Sequence, residues 1–183
     1  MIEIIIGTMR PGAFSRKVGN EVFDIYKTLT NDAGSTGSPQ VGLIDLRDMP
    51  KEAFYPEAFE DRPRAITEFS DRLLKADGVV IVIPEYNAGV PGVMKHFIDL
   101  WKYPETFRRK FSIISVSSGS FGGIRASGHL GEILLNRGGL VFPKKILMPN
   151  IESLFNEKDE MISEKDKMRL QENAKDFLNF VSK

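Results

Sequence analysis

The stretch GVVIVIPEYNAGVPGVMKHFID, residues 78–99, decides the fold. Its first half, Gly78 to Ile83, is an unbroken apolar run rich in Val and Ile, the pattern of a parallel strand covered on both faces. Its second half carries Met94, Phe97 and Ile98 at helical spacing, with Trp101 just beyond. Between them, Glu85, Tyr86 and Asn87 stand in a row, and Gly89, Pro91 and Gly92 control the backbone. A simple turn needs fewer special residues. The stretch reads as strand, ligand loop and helix.

The same alternation runs along the chain. Further apolar runs lie at Ile2–Ile6, Val41–Leu46, Phe111–Val116 and Leu140–Leu147. The last is broken by Pro143 and two lysines and reads as an edge strand. Helical faces fall between them. One is Val18, Val22, Ile25, Tyr26 and Leu29; a second is Ile66, Phe69, Leu73 and Leu74. A shorter one is anchored by Ile133 and Leu134, and the tail from Ser163 carries Leu170, Ala174, Phe177, Leu178 and Val181. Strand–helix alternation predicts an α/β fold with a parallel sheet. At this length it predicts one flavodoxin-like domain over residues 1–183: a three-layer sandwich, five parallel strands in order 2-1-3-4-5, helices on both faces. Residues 31–40, NDAGSTGSPQ, read as a flexible turn into strand 2. Phe54, Tyr55 and Phe59, in the irregular stretch 51–64, are expected to pack on something, a second subunit included.

Composition narrows the function classes. Lys+Arg and Asp+Glu both number 25, which argues against nucleic acid or an acidic membrane as partner. Cysteine is absent, so disulfides, thiolate nucleophiles and thiolate metal sites are absent too. His96 and His129 are too few for a His-rich metal site, and no metal is expected. No apolar run approaches the ~20 residues of a membrane span. Met1 leads directly into Ile2–Ile6 without a basic stretch or cleavage site, so a cytoplasmic protein is expected.

In such sheets ligands bind beyond the carboxyl ends of the strands, where strand order reverses. Here the loops after strands 1, 3 and 4 meet there, and these are the unusual ones. The first, GTMRPGAFSRKV (7–18), offers Thr8 and Ser15 hydroxyls and Arg10 beside a helix N-terminus. That suits a phosphate; a plain turn with Ser15 as cap stands beside that reading. The loop matches neither GxxxxGK[ST] nor GxGxxG, which disfavours nucleoside triphosphates and Rossmann dinucleotides. The second is PEYNAGVPG. The third, SVSSGSFGGIRA (115–126), is dense in Ser and Gly, and its backbone N–H groups suit an anion or a ring carbonyl.

Taken together, these loops resemble the NADPH-dependent FMN reductase family of flavodoxin-like proteins, which includes azo, quinone and chromate reductases. The resemblance runs from Ile4 to about Leu147 and is most specific in PEYNAGVPGVMKHFID. It implies that Thr8, Arg10 and Ser15 hold the FMN phosphate. It implies that Pro84, Glu85, Tyr86 and Asn87 line the isoalloxazine ring, with Ser117, Gly119, Gly122 and Gly123 closing its other side. Ala13 stands where many members have a serine. Glu85 itself reads as a loop-orienting or subunit-contact residue, and no protein side chain is expected to be catalytic, because the flavin carries the chemistry. The implied function is hydride transfer from NADPH or NADH through FMN to a small-molecule acceptor: a quinone, an azo compound, a metal oxyanion or a free flavin. A homodimer or homotetramer is implied as well. The alternative is a flavodoxin-like electron carrier or flavin-binding regulator without turnover of its own.

Overall fold

The computed structural model describes residues 1–31 and 40–183. Its elements in chain order are β1 (Ile2–Ile6), α1 (Phe14–Asn31), β2 (Val41–Asp45), α2 (Arg64–Lys75), β3 (Gly78–Pro84), α3 (Gly92–Asp99), β4 (Lys110–Val116), α4 (Ile124–Asn136), β5 (Leu140–Val141), β6 (Ile146–Met148) and α5 (Glu164–Val181). The strands pair in parallel in the order β2-β1-β3-β4-β5, and β6 pairs with β4 further along the same side. This is the expected flavodoxin-like order. The fifth position is occupied by two short pieces, β5 and β6, separated at Pro143, which has no N–H to give the ladder. The reading of residues 31–40 as a flexible turn falls almost wholly outside the described residues.

Strand residues alternate between the two faces. Ile2, Ile4, Val80, Val82, Ile114 and Val116 join Val18, Val22 and Tyr26 of α1 and Leu170, Ala174 and Phe177 of α5 in one core. Ile5, Val79, Ile81, Ile83, Phe111 and Ile113 join Ile66 and Leu73 of α2, Met94 and Phe97 of α3, and Leu130 and Leu134 of α4 in the other. The two cores hold the central strands rigidly, so their carboxyl ends present loops at fixed spacing. Ser163 caps α5 by accepting the Asp166 N–H at 3.4 Å.

Two acids of the sheet, Glu3 and Asp45, are buried. Glu3 is fully buried and pairs with Arg72 of α2 at 2.6 Å. Such a pair tolerates burial because each partner compensates the other's lost hydration.

Residues 46–59 form three short 3-10 turns after β2. Ala53 and Ala58 are buried there, while Phe54, Tyr55 and Phe59 stay about half exposed. Phe54 stacks on His96 with centroids 5.0 Å apart, and Phe59 meets the same ring edge-on at 5.8 Å. His96 Nε2 lies 2.6 Å from Ala53 O, so this histidine anchors the 3-10 segment to α3. Among the described residues, no helix is long and apolar enough to cross a membrane.

Candidate flavin site

The loops after β1, β3 and β4 meet around a cleft of about 300 Å³. Arg10, Ser15, Pro84, Glu85, Tyr86 and Ser117 line it, joined by Ile151 and Glu152 from the segment after β6. Thr8, Asn87, Gly119, Gly122 and Gly123, though on the same three loops, do not line it. A larger, open groove of about 920 Å³ adjoins it at Gly12 and Ala13. Its cations are already paired: Lys17 with Asp159, Arg16 and Arg47 with Asp45, Lys167 with Glu164. That makes it a solvated face, whereas the smaller cleft sits at the switch point where three loops converge.

The first loop is built around a buried polar knot. Gly7 donates to Val82 O at 2.9 Å, extending the β1–β3 ladder one residue beyond the end of β1. Thr8 is fully buried. Its hydroxyl accepts the Arg10 N–H at 3.2 Å and shares a 3.1 Å hydrogen bond with the Tyr86 hydroxyl. The Arg10 guanidinium sits 5.9 Å from the Tyr86 ring centroid and has no ion pair among the described residues. Ser15, in the first turn of α1, has a buried hydroxyl with no hydrogen-bond partner. A buried, unpaired hydroxyl is costly unless a ligand satisfies it.

Behind the loop, Arg16 donates Nε and Nη2 to the two oxygens of Asp45 at 2.8 and 3.1 Å. It also donates to Arg10 O at 3.0 Å and Thr8 O at 2.9 Å. Asp45 accepts from the Arg47 N–H and side chain as well, both at 3.0 Å. Burial pushes the Asp45 carboxyl up, but the hydrogen bonds from Arg16 and Arg47 and the Arg16 charge outweigh it, leaving it below the ordinary value.

The loop after β3 is a tight reversal. Tyr86 and Gly89 exchange backbone hydrogen bonds at 3.1 and 3.0 Å. The residues between them, Asn87 and Ala88, have φ of 49° and 60°, the left-handed pattern of a type I′ turn. Their own N–H groups have no internal partner among the described residues and face outward from an exposed turn. Glu85 turns the other way, accepting from the backbone of α4.

In the loop after β4, the glycines serve close packing. A Cβ on Gly122 would lie 2.7 Å from Met148 N, and one on Gly123 would lie 2.9 Å from Ser115 Cβ. Both residues have positive φ, 61° and 82°. They press the loop against β6 and β4. Ser117 donates its hydroxyl to Gly119 O at 3.0 Å, and Gly119 O also accepts the Asn150 N–H at 3.2 Å. Gly119 therefore ties this loop to the segment that brings Ile151 and Glu152 to the cleft.

Residues 1–153 match the family model described as NADPH-dependent FMN reductase. The chain belongs to that family. The NADH:(hydroxy)cinnamate reductase subunit CrdA of Vibrio ruber is 30% identical over 147 residues, covering 78% of this chain and 72% of that protein. A quinone reductase of Escherichia coli is 30% identical over 150 residues, 80% of this chain and 76% of its own. The structure of FerB, a flavoenzyme NAD(P)H:(acceptor) oxidoreductase from Paracoccus denitrificans, shares the fold. It superposes with a TM-score of 0.76 over 99% of this chain and 96% of that one, at 21% identity. The protein is an NAD(P)H-dependent oxidoreductase that uses FMN, which sets aside the electron-carrier alternative. The residues present fit the cofactor: an unsatisfied Ser15 hydroxyl, an unpaired Arg10 and a helix N-terminus suit its phosphate.

Proposed function

We propose that the cleft between the three loops holds FMN and that the protein reduces a small planar acceptor, a quinone above all. Ser15 and Arg10, with the free N–H groups of α1's first turn, take the phosphate. The ring lies toward Tyr86 and Ser117. The unsatisfied Ser15 hydroxyl carries this reading, because a buried hydroxyl beside a helix N-terminus and a cation suits an acceptor-rich group.

When bound, FMN supplies the hydride chemistry between the nicotinamide and the acceptor. The chain supplies position and charge. Arg10 balances the phosphate. The Asn87 and Ala88 N–H groups, which a rigid turn holds outward, suit negative charge on the ring. Glu85 is engaged with the start of α4 and serves to orient the loop. The quinone preference rests on the relatives' chemistry, and an open ring face suits azo compounds, metal oxyanions and free flavins by the same logic.

A cytoplasmic homodimer or homotetramer completes the reading. The half-exposed Phe54, Tyr55 and Phe59 form an apolar surface that suits a second copy. Two experiments test the function. Titrating the flavin-free protein with FMN should quench flavin fluorescence; no quenching removes the cleft assignment. Anaerobic NADH or NADPH should then bleach the bound flavin, and a panel of quinones, azo dyes, chromate and riboflavin should restore its colour at different rates. Slower reoxidation by quinones than by the other acceptors would overturn the acceptor assignment.

A further inference from the structure

Arg16 lies beside the phosphate end of the cleft, yet it is built to face away from it. It is 8% exposed. Its guanidinium makes four hydrogen bonds, two to Asp45 and one each to the carbonyls of Thr8 and Arg10. A guanidinium has five N–H donors, so almost none of its capacity is left for a ligand. The two carbonyls belong to the loop that presents Arg10. Asp45 belongs to the end of β2, a rigid sheet position registered against Ile6.

We infer that Arg16 and Asp45 form a positioning device that makes the cleft select the phosphorylated flavin, without either residue touching the phosphate. The cause is geometric. Carbonyl oxygens repel an anion, and Arg16 draws two of them to the back of the loop. The trans peptide between Thr8 and Met9 then points the Met9 N–H away from Arg16. Fixing the carbonyls also fixes the backbone from which Arg10 projects, so that backbone pays less ordering entropy on binding. Asp45 also accepts from the Arg47 N–H and side chain, so both oxygens of its carboxylate are engaged and Arg16 is held in one orientation. A dianionic phosphate gains from N–H groups turned toward it; an uncharged ribityl end gains far less.

This inference rests on the cleft being the FMN site, and the test separates the two. The full chain, freed of flavin, is titrated with FMN and with riboflavin, and the ratio of the two affinities is the readout. The variants are R16K, which keeps the charge but cannot reproduce the planar fork, and D45N, which keeps the volume. R10A is the control for direct contact. The expected result is a fall in the FMN-over-riboflavin ratio of about 10- to 100-fold in both R16K and D45N, the scale at which a misplaced binding group is felt. Riboflavin affinity should hold within about threefold, since the ring walls are untouched and distant sites act independently. A parallel loss of both ligands would mean that the pair serves the fold only, and overturns the inference. A ratio that falls in R10A but not in R16K or D45N also overturns it, while leaving the cleft reading intact. A ratio unchanged in R10A overturns the cleft reading itself. If R16K does not fold, the isosteric D45N decides.

Discussion

Glu85 accepts the backbone N–H of Arg125 at 2.9 Å, and its other carboxylate oxygen lies 3.3 Å from the Arg125 guanidinium. The same carboxylate accepts from the Ala126 N–H at 3.3 Å. Helix α4 starts after Gly123, a residue with no side chain to cap it. Its orphan N–H groups are satisfied from the neighbouring loop instead. One acid therefore caps a helix and fastens the Tyr86–Gly89 turn beside the cleft. Glu85→Ala should cost about 1–2 kcal/mol of stability, the usual scale for losing an N-cap. FMN affinity should fall as well, because the turn loses its anchor. Glu85→Gln keeps an acceptor oxygen and should lose less than half as much. Urea midpoints and FMN titrations of the two variants check this; equal losses would show that the charge alone matters.

The Tyr86 and Thr8 hydroxyls, 3.1 Å apart, join the first and second loops. Tyr86→Phe removes that bond and keeps the ring that Arg10 covers. A lost hydrogen bond of this kind costs about 0.5–1.5 kcal/mol, so FMN should bind roughly 3- to 10-fold more weakly. Thr8→Val should cost more, because it also strands the Arg10 N–H that the same oxygen accepts. The double variant should be no worse than Thr8→Val alone, since Tyr86 has then already lost its partner. Additive losses would place the effect elsewhere.

The fold was legible because the central strands β1, β3 and β4 are rich in Ile and Val and each loop at the switch point carries residues a plain turn does not need. Pro143 marked the broken edge strand. The site was legible only in part. Glycines announce close backbone approach but not to what: Gly122 and Gly123 read as ligand contacts, and their lack of a side chain also makes room for Met148 and Ser115. Thr8 read as a phosphate contact, and its hydroxyl is engaged inside the loop. Arg16 was missed although it follows Ser15 directly, because its partner Asp45 lies 29 residues away. No local period reports a pairing of that range. Ile151 and Glu152 were missed for the same reason: they reach the cleft through backbone bonds from Asn150 and Ile151 to Gly119 and Ser117. The surrounding chain carries no motif.

Ala88 holds φ of 60° without being glycine or asparagine. That conformation costs an L-residue roughly 1–2 kcal/mol. Ala88→Gly removes the strain but loosens the unfolded chain by about 0.5–1 kcal/mol. The net expectation is a gain of up to about 1 kcal/mol, seen as a raised thermal midpoint with FMN affinity retained. Asn87→Gly should be nearly neutral, because asparagine already tolerates the left-handed region. Ala88→Val should destabilise, since a β-branched side chain crowds the backbone there. A lower midpoint for Ala88→Gly would mean that the turn is not strained.

The Asp45 carboxyl gives a pH dependence with a definite sign. Its proton affinity is depressed in the folded protein by Arg16 and Arg47, despite the burial that opposes this. The unfolded chain therefore binds the proton more readily, and stability rises with pH across the interval between the two values. The contribution is complete above the ordinary aspartate value of about 4 and is lost as pH falls through the depressed folded value. Urea midpoints of the wild type and Asp45→Asn, measured from pH 7 down to about 3, should differ most near neutrality and converge on acidification. A difference that persists unchanged to the lowest pH would mean that Asp45 acts through its shape and hydrogen bonds rather than its charge.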